Sequence, residues 1–195
     1  MAKNREAIRA IVRQFLRDEF TSEELLDFKD EELDRHIDQC RVEVSQESPY
    51  EDRETVAGNG TKELDISSIE GLIGDKVEKA EYPIGSDPPD YCQVVLFGNI
   101  LRLDIYSAPP SGKRVYLYCL KVHQLTDSAS TLSPELEKVL IEGVVAKAAQ
   151  SWCAEQMRKD ITPSAIKLHQ NWADKQFIIY QNSLNSLTRP RAWEY

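Results

Sequence analysis

The chain has 195 residues, 41% of them apolar and 29% charged, enough to bury a core in one domain or in one domain carrying a sizeable insertion. No apolar run approaches the ~18 residues of a membrane span, and Met1–Arg5 lead straight into an amphipathic pattern with no apolar signal core behind them, so the expectation is a soluble, unsecreted protein. The net charge of −9 is concentrated: residues 18–54 hold 15 acids against 4 bases, the opposite sign to a tight DNA-binding groove.

In chain order, Ile8, Ile11, Val12, Phe15 and Leu16 recur at helical spacing and predict an α-helix over about 4–20, with Arg5, Arg9 and Arg13 on its other faces. Thr21–Phe28 reads as a linker. Asp30 then suits an N-cap, with Glu31 and Glu32 in the first turn where the helix dipole favours acids. Leu33, Ile37, Cys40 and Val44 form the apolar stripe of a second helix that runs to about Gln46 and is ended by Pro49. Two amphipathic helices with a short connection make an α-hairpin.

From about 53 to 122 the pattern is that of strands and turns. Gly58-Asn59-Gly60 reads as a hairpin turn between 54–57 and 61–66, and Lys76–Ile84 as a further strand. The clearest signal is Tyr91–Phe97, the turn Gly98-Asn99, and Ile100–Tyr106, where Leu101, Leu103 and Ile105 alternate with Arg102 and Asp104. Lys113–Leu125 continues with β-branched and aromatic residues.

Helix returns at Ser133-Pro134, an N-cap followed by a first-turn proline, with an apolar face that Leu136, Val139, Leu140, Val144 and Ala148 carry and that neighbours broaden. Such a helix should be covered on more than one side. Thr162-Pro163 repeats the start signal for a helix through Leu168, Trp172, Ile179 and Leu184 to about Leu187. The fold class expected is α+β: an N-terminal α-hairpin and two long C-terminal helices with an antiparallel β-rich insertion. The parts are 1–48, helical; 49–128, the β-insertion; 129–188, the remaining helices of the same helical domain; and 189–195, an extended tail.

Catalytic signatures are scarce. His36, His123 and His169 fall on different elements, none within a metalloprotease or nucleophile motif. Cys119 and His123 on a strand would stand about 13 Å apart, too far to share a metal. Cys40, Cys92, Cys119 and Cys153 lack the short spacings of metal ligation and read as reduced, buried thiols. Gly58-Asn59-Gly60 has Glu63 where a dinucleotide-binding loop needs glycine, and Ser111-Gly112-Lys113 lacks the first glycine of a phosphate loop. No catalytic, cofactor-binding or metal-ligating set is expected, and the chain reads as a protein without enzymatic activity. The excess acids, Glu31, Glu32, Asp34 and Asp38 among them, fit a solvated or deliberately negative surface. Arg189, Arg191, Trp193 and Tyr195 follow the last helix in a tail too short for its own core, and have the residue types of an interface anchor.

The element order, with the helix start Phe28-Lys29-Asp30-Glu31-Glu32-Leu33-Asp34-Arg35-His36-Ile37, its end before Pro49, and the helix pair after Leu132-Ser133-Pro134-Glu135-Leu136, resembles the head-to-tail connector (adaptor) proteins of tailed bacteriophages. The resemblance covers most of the chain. It implies a structural virion protein made in the host cytoplasm and placed in the neck between head and tail. A homo-oligomeric ring, commonly a dodecamer, would sit beneath the portal, and DNA would pass through it without specific binding. Arg189, Arg191, Trp193 and Tyr195 would then dock on the portal. The turns at Gly58–Gly60 and Asp87–Asp90 would meet the downstream tail or nozzle protein. The acids Glu31, Glu32, Asp34 and Asp38 would line the channel. Two other readings compete: a cytoplasmic α+β enzyme or ligand-binding protein with a pocket between the β-module and the long helices, and an acidic nucleic-acid mimic that binds a basic protein.

Overall fold

The structure, a computed structural model, describes residues 3–18, 27–158 and 163–187. Its fold is α+β, with helices at both ends of the chain and antiparallel sheets between them. The chain divides into a helical unit, residues 1–48 and 123–195, and a β-unit, residues 49–122.

Helix α1 (Arg5–Leu16) starts where the Asn4 side chain accepts the Ala7 N–H at 2.9 Å, and ends at Arg17 in the left-handed region, φ 58°. Ile8 and Val12 are buried, but Phe15, expected on the same stripe, is 61% exposed. Helix α2 (Asp30–Glu47) buries Leu33, Ile37, Cys40 and Val44, the stripe the sequence predicts. Its N-cap is Lys29, with no side-chain cap; Asp30 lies inside the first turn because α1 engages its carboxylate.

Helix α3 (Pro134–Arg158) starts with the Leu136 N–H donating to Ser133 Oγ at 3.3 Å. It is apolar nearly all round, as an interior helix must be: Leu136, Val139, Leu140, Ile141, Val144, Val145 and Ala148 are all buried. Gly143, midway along it, is where the neighbours come closest. A Cβ there would stand 2.6 Å from Tyr180 Cε2 and 2.9 Å from Cys40 Sγ, so only glycine lets both helices approach α3 so nearly.

Helix α4 (Pro163–Leu187) returns along α3 for about 38 Å, 25 residues at the α-helical rise. The stripe read from the sequence is only partly the buried one. Leu184 is buried, whereas Leu168, Trp172 and Ile179 are 73%, 38% and 44% exposed, and the inward residues are Ala173, Phe177, Tyr180, Leu184 and Leu187. Tyr180 decides the rotation of the helix, since its ring occupies the notch at Gly143 and its hydroxyl donates to Glu43 Oε2 at 2.6 Å.

The β-insertion, expected to reach 128, ends at Val122. From His123 the backbone is tied to helices: His123 N–H donates to Ser45 Oγ at 3.0 Å, and Arg5 N–H donates to Thr126 O at 3.1 Å. The β-unit is two antiparallel sheets around one core. β1 (Tyr50–Ala57), β7 (Arg114–Lys121), β3 (Leu72–Glu81) and β4 (Tyr91–Cys92) pair in that order; β2 (Glu63–Asp65), β6 (Ile100–Leu103) and β5 (Val94–Phe97) form the second sheet. Leu64, Leu101 and Leu103 of one sheet bury against Val77, Val115, Leu117 and Cys119 of the other. The β5–β6 hairpin turns at Gly98-Asn99 as predicted, with Phe97 opposite Ile100. The strand expected at Lys76–Ile84 lies four residues earlier at its start and ends at Glu81.

The hairpin expected at Gly58-Asn59-Gly60 does not form: β1 pairs with β7 and β2 with β6. The turn instead carries the chain from one sheet to the other. Gly58 N–H donates to Lys113 O at 2.6 Å, and a Cβ on Gly58 would lie 2.8 Å from Pro110 O, so the strand end is packed where a hairpin partner would need room.

Candidate functional site

The acidic surface of α2 has a structure the sequence reading missed. Arg5, Arg9 and Arg13, four apart on α1, meet Asp38, Asp34 and Asp30, four apart on the antiparallel α2. Arg5 donates to both oxygens of Asp38, at 2.7 and 3.2 Å; Arg9 and Arg13 reach Asp30 at 2.5 and 2.6 Å; Arg9 Nε faces Asp34 at 3.4 Å, an ion contact without hydrogen-bond alignment. Arg13 also binds Asp18, a fully buried carboxylate that accepts the N–H groups of Asp27 (2.9 Å) and Phe28 (3.3 Å) and so pins the chain entering α2 to the end of α1. The signal was present as two matched four-residue repeats of opposite charge.

The electrostatics follow the contacts. The hydrogen bond from Arg13 holds the Asp30 carboxyl below its ordinary range, and the bond to Asp38 raises Arg5. In the pairs that Asp30, Asp34 and Asp38 make, the carboxylate is the outer partner: Asp30 is 54% exposed against 20% for Arg9, and Asp38 47% against 18% for Arg5, whereas Asp18 lies inside Arg13. The outer face of α2 therefore remains acidic although its aspartates are paired. Of the four acids singled out, Asp34 and Asp38 belong to this ladder; Glu31 is exposed and Glu32 half-buried, and neither has an ion pair among the described residues.

A second surface is apolar. Leu168, Trp172 and Ile179, with Lys175 between them, recur at spacings of four, three and four and so share one face of α4, separate from the face packed on α3. Beside its N-terminal half a groove of about 730 Å³ runs along the end of α1, lined by Phe15, Leu168 and Trp172 with Arg17 and Lys175. A smaller cavity of about 140 Å³ adjoins it, closed by Phe28, Trp152 and Cys153, where the rings of Trp152 and His169 meet edge to face at 5.1 Å.

Cys40, Cys119, His36 and His123 are held by packing. Burial pushes the Cys40 thiol up to about 12 and that of Cys119 up to about 11, so neither is a thiolate at neutral pH. Desolvation lowers His36 and His123. His123 donates from Nε2 to Ser48 O at 2.9 Å and accepts at Nδ1 from Thr131 Oγ1 at 3.0 Å, a structural role that closes the end of α2. In the β-unit, Tyr118 donates to the buried Glu81 at 2.7 Å, which drives its phenol up to about 12, and Lys79 sits 3.9 Å from the Tyr91 ring centroid. Among the described residues no three His, Cys, Asp or Glu side chains converge as metal ligands.

Arg189, Arg191, Trp193 and Tyr195 lie outside the described residues. The turns proposed for distal contacts are exposed at Asn59, Gly60 and Asp87–Asp90, and Asn59 is braced by bonds from Thr61 N and Oγ1 at 2.9 and 2.8 Å. No described helix is long and apolar enough to cross a membrane. No protein-family model and no curated protein matches the chain.

Proposed function

We propose that this chain is a structural virion component, a head-to-tail adaptor that assembles as a ring beneath a portal and surrounds the path of the DNA. The single observation that carries the reading is the apolar stripe that α4 turns away from its own core. Burying a Leu, Ile or Trp side chain is worth about 1.5–3 kcal/mol, so a helix with two apolar faces and one covered is built to be covered again. The element order supports the same reading: a helical unit whose sequence is interrupted by a β-unit, which gives one chain two separate surfaces. The net charge of −9 suits a passage that must not retain DNA, since like charge repels phosphate over a Debye length of about 8 Å. Residues 189–195 would hold the portal, and the turns at Gly58–Gly60 and Asp87–Asp90 would face the next tail component.

The test is native mass spectrometry and electron microscopy of the full chain mixed with portal rings from its own virion. Closed rings of this chain seated on the portal are expected, and deletion of residues after Leu187 should leave the helical unit folded while abolishing docking. A chain that stays monomeric in that mixture, or that copurifies with a stoichiometric small metabolite, refutes the reading.

A further inference from the structure

We infer that the seam between neighbouring copies joins the groove beside α4 to the outer face of α2 of the next chain. This rests on the ring reading and specifies its lateral contact. The groove presents Phe15, Leu168 and Trp172 flanked by Arg17 and Lys175, with no acid among the described residues of its lining. The outer face of α2 is a shallow channel of about 930 Å³ with Val42 exposed at 38%, bordered by Glu31, Asp34, Asp38 and Glu43 against the one base Arg35.

The two surfaces are complementary in sign: the groove has an apolar centre flanked by cations, and the face of α2 sets one exposed apolar side chain, Val42, among acids, a pairing that suits a protein interface. Asp38 is more exposed than the Arg5 it pairs with, and Glu31 is exposed with no ion pair among the described residues, so both can meet a cation of the next chain without releasing a partner. Arg17 and Lys175 have no ion pair among the described residues, and each gains a partner in the seam. The two patches share no residue. A contact between them is heterologous, and it repeats head to tail until the rotation closes, which is how a ring forms and a two-fold dimer does not. The assignment moves Glu31, Asp34 and Asp38 from the wall of the passage into the joint between copies.

The experiment is zero-length carbodiimide crosslinking of assembled full chain, prepared from equal parts of unlabelled and heavy-nitrogen-labelled protein, with crosslinked peptides read by mass spectrometry. Links from Lys175 to Glu31 or Asp38 that pair one light and one heavy chain are expected. Lys175→Glu and Glu31→Lys should each weaken assembly about tenfold, equivalent to ~1.4 kcal/mol, and the double exchange should restore it. Assemblies that form normally without those mixed links overturn this seam and leave the ring standing. Failure of the unmodified chain to assemble at all overturns the ring, and the seam with it.

Discussion

Helices α3 and α4 are of equal length, both open with proline after a hydroxyl residue, and both are rich in apolar side chains, yet they meet opposite fates. α3 is surrounded, its apolar residues covered on nearly every side, whereas α4 covers one stripe and leaves a second, Leu168, Trp172 and Ile179, partly outside. Both stripes carry large apolar side chains, so hydropathy alone does not choose between them. The inward face is chosen instead by shape: Tyr180 fits the notch at Gly143 and its hydroxyl finds Glu43.

The contrast can be broken most severely from the α3 side. Leu140→Ala, at a fully buried position, should cost about 3 kcal/mol of stability by removing side-chain volume from a core that cannot collapse into the space. Urea denaturation followed by helical circular dichroism measures it, and a cost below ~1 kcal/mol would mean α3 is not the covered helix. Gly143→Ala should cost about 2 kcal/mol, an unusual result for a glycine inside a helix, where alanine ordinarily stabilises. A stabilised Gly143→Ala variant would show that Tyr180 does not fill the notch.

Acid sharpens the same contrast more gently. Burial lowers His36, which meets Ser151 of α3 at 3.4 Å, and His123 below the ordinary value of 6.5. The unfolded chain therefore takes up protons first as pH falls, so their contribution is complete above pH ~6.5 and is lost as pH drops towards the folded values. The urea midpoint should fall between pH ~7.5 and ~5.5, and a midpoint that rises over that interval contradicts neutral burial of the two rings. Smallest of all, Leu168→Ser on the outward stripe should leave the stability of the isolated chain within ~0.5 kcal/mol of the original, as a surface exchange does, and a loss as large as that of Leu140→Ala would place Leu168 in the core.

What the sequence reveals here depends on whether the determining interaction is local. The α2 stripe Leu33, Ile37, Cys40 and Val44, the Ser133-Pro134 start of α3 and the Gly98-Asn99 hairpin are each set by residues a few positions apart, and each is legible. The rotation of α4 is set by Gly143 of another helix, and the partner of β1 is β7, some sixty residues away, so periodicity within either element carries no trace of it. The candidate surfaces divide in the same way. The acidity of α2 is plain in composition, but that Asp34 and Asp38 are matched to Arg5 and Arg9 requires both helices side by side.

The ladder between α1 and α2 has one further consequence. Because its arginines and its aspartates each recur every four residues, a shift of one helix along the other by a single turn would bring most of them opposite a partner again, much as a ratchet engages at any tooth. Such rungs dictate that the helices run in opposite directions but not where they stop. The stop is Asp18, a tooth of its own kind, which grips Arg13 and the backbone of Asp27 and Phe28 together and leaves only one notch in which the pair can rest.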